Sequence, residues 1–211
     1  MRPIVFDCDG VLVDSEVLSW RAWRRVLGRY AVDVDDSEVA ALTGRTVDVC
    51  HAHFAARAEI PALGGFMDEL GLVMSRELEA HLEAFDDAAY TLDALRGRVP
   101  MAVASSSYRD RLDLSLRTTG LAGSFEASVA GDEVAEGKPA PDLFVEAARR
   151  LGVEPGSCVA VEDTPAGIES AVAAGMWVVA VDRGLFTPDQ LRAAGADLLV
   201  PRLTPAVLMV G

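Results

Sequence analysis

Short apolar runs recur along this chain at 3–6, 99–104, 126–130, 158–162, 177–181 and 197–200. Each has strand length and is bounded by turn residues. Between the later runs the apolar positions change to helical spacing. Pro141 can open a helix running to Leu151, with Gly152 just past its end. Thr164 can cap a helix that has Pro165 at its first position and Gly175 as its stop. Thr187, Pro188 and Gly195 repeat that arrangement around a shorter helix. Strand–helix alternation of this kind predicts an α/β fold with a parallel sheet covered by helices on both faces.

Residues 14–90 interrupt the alternation. Trp20, Trp23, Leu27 and Tyr30 share one face of a helix over 16–30. Segments 37–42, 46–59 and 66–85 also follow helical spacing, with Gly44, Pro61, Gly64 and Gly65 as breaks. No strand pattern occurs there. The economical description is a doubly wound, Rossmann-like core made of 1–13 and 91–211, carrying an all-helical insertion over 14–90. Its hinges are expected near 11–15 and 86–91. The aromatic stripe reads as helix core, not as a ligand platform. His51 and His53 stand two apart and point to different faces, which does not suit a metal pair. The final segment, PRLTPAVLMVG, is apolar enough to pack on the core and shows no site.

Composition narrows the function. The chain has 211 residues, 51% of them apolar, enough for a full core. Its formal charge of −14 argues against a nucleic-acid binder, which would show a basic face. It leaves room for a small anionic ligand, because one lysine and one metal can reverse a local field. No run is long enough to span a membrane, and the N-terminus enters the first strand directly. A cytoplasmic protein is expected. The three cysteines, Cys8, Cys50 and Cys158, are widely spaced and read as reduced thiols.

The chemistry gathers where strands end. The first run, Ile4-Val5-Phe6, stops at Asp7, Cys8, Asp9 and Gly10. Ligands of open α/β sheets bind at the carboxyl ends of strands. Asp7 and Asp9 are two apart and can face the same space, while Cys8 faces away. Like charges this close need a cation or a proton between them. The pair therefore suggests a hard metal such as Mg²⁺, a nucleophile beside an acid/base, or both. Taken alone, D-x-D-G is also compatible with two solvated turn aspartates. The second run ends in Ser105-Ser106-Ser107, whose hydroxyls and N–H groups suit phosphate oxygens. Lys138 is flanked by Pro139 and Pro141 just before a helix, and a fixed lysine can offset a phosphate and a carboxylate together. The fourth run ends in a second acidic pair, Glu162-Asp163.

Taken in order, FDCDGVLVDSE, VASSS, EGKPAPDLF and VEDTPAGI resemble the haloacid dehalogenase superfamily. The nearest branch is that of sugar-phosphate phosphatases and β-phosphoglucomutases with a helical cap inserted after the first strand. The motifs span residues 3–168. The resemblance implies that Asp7 attacks phosphorus and that Asp9 acts as acid and then base. It implies that Ser105 and the Ser106 N–H hold the phosphoryl group, with Lys138 neutralising charge between that group and Asp7. It places Mg²⁺ on Asp7, the Asp9 carbonyl, Asp163 and, directly or through water, Glu162. Arg45, in a cap loop, is a candidate contact for an anionic substrate. The implied activity is hydrolysis of a small phosphorylated metabolite, a sugar or sugar-acid phosphate, under a cap that closes over the core. No nucleic acid, membrane or obligate protein partner is implied.

Three rival activities fit these residues less well. Dehalogenases of the superfamily lack the second aspartate and the metal, so Asp9 and Glu162-Asp163 count against that activity. Mutases carry a cap histidine where this chain has Ser19, and a cap arginine where it has Val47. Receiver-type signalling domains place the acceptor aspartate on a later strand and have no inserted cap.

Overall fold

A computed structural model describes residues 1–43, 45 and 47–209. Gly44, expected as a helix break, lies outside the described residues. After strand β1 (Ile4–Phe6) come helices α1 (Glu16–Gly28), α2 (Asp36–Leu42), α3 (Val47–Ala55) and α4 (Leu63–His81). The chain continues with α5 (Asp86–Leu95), β2 (Met101–Ala104), α6 (Arg109–Thr118), β3 (Ala127–Val129) and α7 (Asp142–Leu151). It ends with β4 (Val159–Glu162), α8 (Pro165–Ala173), β5 (Trp177–Val181), α9 (Pro188–Ala193), β6 (Leu198–Val200) and α10 (Pro205–Leu208). Two compact units result: Met1–Asp14 with Glu83–Gly211, and Ser15–Leu82.

The first unit holds one six-stranded sheet in the order β3-β2-β1-β4-β5-β6. Every pairing is parallel, and Phe6 lies level with Val103 on one side and Val161 on the other. This is the α/β, Rossmann-like architecture expected from the alternating pattern. On one face Val5, Ala102, Ala160 and Val178 pack with Leu143, Phe144 and Ala147 of α7 and with Ile168 and Ala171 of α8. Small strand residues let the helices approach, and larger helix residues fill the space. Burying a side chain such as Phe144 stabilises the fold by about 2–3 kcal/mol.

The punctuation around α7, α8 and α9 acts as expected, whereas Gly64 and Gly65, expected as breaks, lie inside the first turn of α4. The Thr164 hydroxyl accepts from Gly167 N–H to cap α8, and Thr187 caps α9 in a reciprocal arrangement with Gln190. The stretch 86–91, expected as a hinge, is instead the start of α5. Asp86 and Asp87 occupy its first turn, where carboxylates favour the positive end of a helix. The chain passes between the units at Leu82 and Glu83.

The second unit is helical, with α1 and α4 packed together. Trp23 lies 4.9 Å from Phe66 and 6.0 Å from Phe54 between ring centres. The aromatic stripe is thus the core of this unit. His51 Nε2 pairs with the Pro61 carbonyl at 2.8 Å and His53 Nε2 with Glu38 at 2.9 Å, so both rings are engaged within the unit. Among the described residues no helix is long and apolar enough to cross a membrane.

Candidate active site

β1, β2 and β4 are adjacent in the middle of the sheet, and their carboxyl ends bring the sequence motifs together. Asp7 follows Phe6 and donates its N–H to the Val161 carbonyl at 2.9 Å, which fixes its height beside β4. Ser105 follows β2 in the same way, with its N–H on Val129. Glu162 closes β4 and Asp163 comes next. The order of connections reverses across β1 and β4, which is the switch point where open α/β folds leave a crevice.

Lys138 reaches this crevice from the loop before α7. Its Nζ donates to Asp7 Oδ1 and, at 2.6 Å, to Glu162 Oε1. It also lies 5.2 Å from the centre of the Phe144 ring. The ammonium is buried, and burial alone would lower its pKa. The charges of Asp7 and Glu162 outweigh that effect and raise it, so the group stays a cation. Glu162 is fully buried and held at both oxygens. Oε1 takes Lys138, and Oε2 accepts from the N–H groups of Asp163 and Thr164 and from the Thr164 hydroxyl. A side chain at Gly167 would overlap this carboxylate, so glycine at the start of α8 is what admits it.

Asp7, Glu162 and Asp163 bring one carboxylate oxygen each within 4.8 Å of one another. Burial pushes Asp7 up to about 7; Glu162 and Asp9 add to the shift, while Lys138 opposes it. Burial likewise pushes Asp163 well above the usual carboxylate range, with Glu162 and Asp7 adding to it. One lysine therefore faces more negative charge than it can balance. In addition, Asp163 Oδ1 is buried and, among the described residues, accepts no hydrogen bond. An oxygen-only donor set with an orphaned carboxylate oxygen fits a hard divalent cation.

Asp9 lies at the same edge but turns to other partners. Its Oδ2 accepts from the Ser107 hydroxyl at 2.8 Å and its Oδ1 from Arg111 Nη2 at 3.1 Å. Ser105 is buried, and its Oγ accepts the Ser107 N–H at 3.0 Å, whereas Ser106 is exposed. Cys8, between the two aspartates, is fully buried, consistent with packing. Arg45 is exposed on the bend between α2 and α3 in the second unit. Sequence reasoning missed Ser107 and Arg111 as partners of Asp9. A serine run and a helix arginine carry no signal of a contact about a hundred residues away.

Residues 4–181 match the family described as haloacid dehalogenase-like hydrolase. Validoxylamine A 7'-phosphate phosphatase of Streptomyces hygroscopicus subsp. limoneus is 35% identical over 214 residues, covering 96% of this chain and 94% of that one. Fructose-1-phosphate phosphatase of Escherichia coli (strain K12) is 36% identical over 184 residues, covering 84% and 95%. Among solved structures, a putative β-phosphoglucomutase from Thermotoga maritima superposes with a TM-score of 0.85 at 28% identity, over 99% of this chain and 97% of that one. The chain belongs to the haloacid dehalogenase-like hydrolase family.

Proposed function

We propose that this hydrolase is a Mg²⁺-dependent phosphatase of small phosphorylated metabolites, sugar or sugar-acid phosphates, working through an aspartyl-phosphate. The observation that carries the reading is the buried ammonium of Lys138, shared by Asp7 and Glu162 beside the unpartnered oxygen of Asp163. Phosphoryl transfer asks for positioning and charge neutralisation more than for elaborate covalent machinery, and this crevice supplies both.

In the first step an Asp7 carboxylate oxygen attacks phosphorus, and the bond from phosphorus to the substrate oxygen breaks. Asp9 gives that oxygen a proton, so the metabolite leaves as an alcohol. In the second step Asp9 takes a proton from water as the water attacks the phosphorylated Asp7. Inorganic phosphate leaves and the Asp7 carboxylate is restored. Lys138 opposes the rise in the Asp7 pKa and offsets charge on the phosphoryl group, which Ser105 and the Ser106 N–H orient. Mg²⁺, held by Asp7, Asp163 and the Asp9 carbonyl, with Glu162 directly or through water, would neutralise the phosphoryl oxygens.

The named phosphatases among the relatives support hydrolysis. The mutase-like neighbour keeps a second reading open, against which stand Ser19 and Val47 in place of the histidine and arginine that mutases carry. A phosphate-release screen over phosphorylated sugars, sugar acids and polyols, with Mg²⁺ and with chelator, separates the two. Metal-dependent release from a subset supports the phosphatase. Conversion of β-glucose 1-phosphate to glucose 6-phosphate with a bisphosphate primer, and no release, supports the mutase.

A further inference from the structure

The loop that follows Asp9 is gripped from behind by one guanidinium. Arg183, between β5 and α9, donates from Nε to the Gly10 carbonyl at 3.1 Å and from Nη2 to the Val11 carbonyl at 3.0 Å. The same group makes a two-pronged pair with Asp87, Nη1 to Oδ2 and Nη2 to Oδ1, both at 3.0 Å. Its central carbon lies 3.9 Å from the centre of the Phe85 ring. Asp87 in turn accepts the Leu203 N–H at 2.8 Å. The side chains of Arg183 and Asp87 are 15% and 6% exposed. All these residues belong to the first unit. One side chain thus ties the segment leaving Asp9 to α5 and to the C-terminal segment.

We propose that Arg183 is a positioning residue for Asp9. The reading rests on the acid/base role proposed for Asp9 above. Gly10 sits at φ +82°, and the loop turns sharply through residues 10–12. Backbone bonds hold the N–H side of this turn, Gly10 to the Val13 carbonyl at 3.0 Å and Leu12 and Val13 to the Cys8 carbonyl at 2.9 and 3.1 Å, and the carbonyls of Gly10 and Val11 are left to Arg183. Arg183 fixes two consecutive ones, immediately after Asp9, and is itself fixed by Asp87 and Phe85. Proton transfer depends on hydrogen-bond reach, and small misplacements of a reacting group are costly. Lysine cannot reproduce the arrangement. A single ammonium has no planar fork with which to hold a carboxylate at two points and two carbonyls at once.

The test is the rate of leaving-group release in a single turnover, before water attacks Asp7. Two substrates are compared with Mg²⁺ present: 4-nitrophenyl phosphate, whose phenolate leaves without a proton, and the alkyl phosphate hydrolysed fastest in the screen. Arg183→Lys is expected to slow the alkyl phosphate by about 30-fold or more and 4-nitrophenyl phosphate by less than about threefold, the contrast expected of lost general-acid help. Asp87→Asn, which keeps the volume and weakens the anchor, is expected to show the same contrast at smaller size and decides the matter should Arg183→Lys not fold. Asp9→Asn supplies the reference. If Asp9→Asn shows the contrast and the Arg183 and Asp87 variants slow both substrates equally, or neither, the role of Arg183 is overturned while that of Asp9 stands. If Asp9→Asn itself slows both equally, the acid role of Asp9 fails and the Arg183 proposal falls with it.

Discussion

The bare α-carbon of Gly10 lies against the carboxylate of Asp163, so that a side chain built on it would overlap Oδ2. Gly10 also sits at φ +82°, where any side chain is strained. Gly10→Ala must therefore push Asp163 aside while leaving Asp7 and Lys138 in their own elements. The expected outcome is at least a tenfold rise in the Mg²⁺ concentration needed for half-maximal phosphate release, with a backbone cost of about 1–2 kcal/mol. Metal titration of activity checks the first part, and thermal unfolding in chelator checks the second. An unchanged Mg²⁺ requirement would remove Asp163 from the metal site.

Lys138 is the cation between Asp7 and Glu162, and all three are buried. Lys138→Met keeps much of the side chain's length and removes the charge. Two buried carboxylates then face each other without compensation, which costs about 3–5 kcal/mol when one partner of a buried pair is lost. Turnover is expected to fall about 10²–10³-fold, as when a preorganised donor is removed from a developing charge. Inorganic phosphate should also inhibit the variant more weakly. Steady-state rates and phosphate inhibition constants check both outcomes.

The carboxyl-edge chemistry was legible because apolar runs fix where strands stop, and Asp7, Ser105 and Glu162-Asp163 stand at those stops. Lys138 was legible through its proline neighbours. The partners that hold these groups were not. Arg111 lies 102 positions from Asp9, and Arg183 lies 173 from Gly10. Periodicity reports which face a residue occupies within its own element, not which distant side chain meets it. Glycine suits the sharp exit from β1, and the contact of Gly10 with Asp163 adds a second reason for glycine that only the folded chain supplies. The segment 86–91 misled for a related reason. An acidic pair suits an exposed linker and the first turn of a helix equally, and the buried pairing of Asp87 with Arg183 goes with the helix.

Phe66 is the residue on which the core of the second unit turns. It is fully buried, 4.9 Å from Trp23 and 5.2 Å from His51 between ring centres. Phe66→Ala is expected to destabilise that unit by about 3–5 kcal/mol, the usual cost of truncating a buried phenylalanine. Two of the three tryptophans, Trp20 and Trp23, lie in this unit. Denaturant unfolding followed by tryptophan fluorescence should therefore shift to lower denaturant. Loss of less than about 1 kcal/mol would mean that the aromatic stripe packs loosely.

Glu133 links the ends of α6 and α7 to the turn after β3. Arg109 Nη2 donates to its Oε2 at 2.6 Å and Arg150 Nη1 to the same oxygen at 3.0 Å, with the Ala130 N–H also bonded there at 3.0 Å. The Arg109 hydrogen bond, helped by the Ala130 N–H and both guanidinium charges and opposed by partial burial, holds the Glu133 carboxyl down at about 2 from a usual 4.5. The unfolded chain therefore takes up this proton at a higher pH than the folded one. The stabilisation is fully present above pH 4.5 and is lost as pH falls from 4.5 towards 2. Solvent reaches part of the group, so its worth is on the order of 1 kcal/mol. Glu133→Gln should melt below wild type at pH 6, by a gap that begins to close only under pH 4.5. Melting temperatures of both proteins across that range check it, and a gap independent of pH would show that the ion pairs contribute nothing.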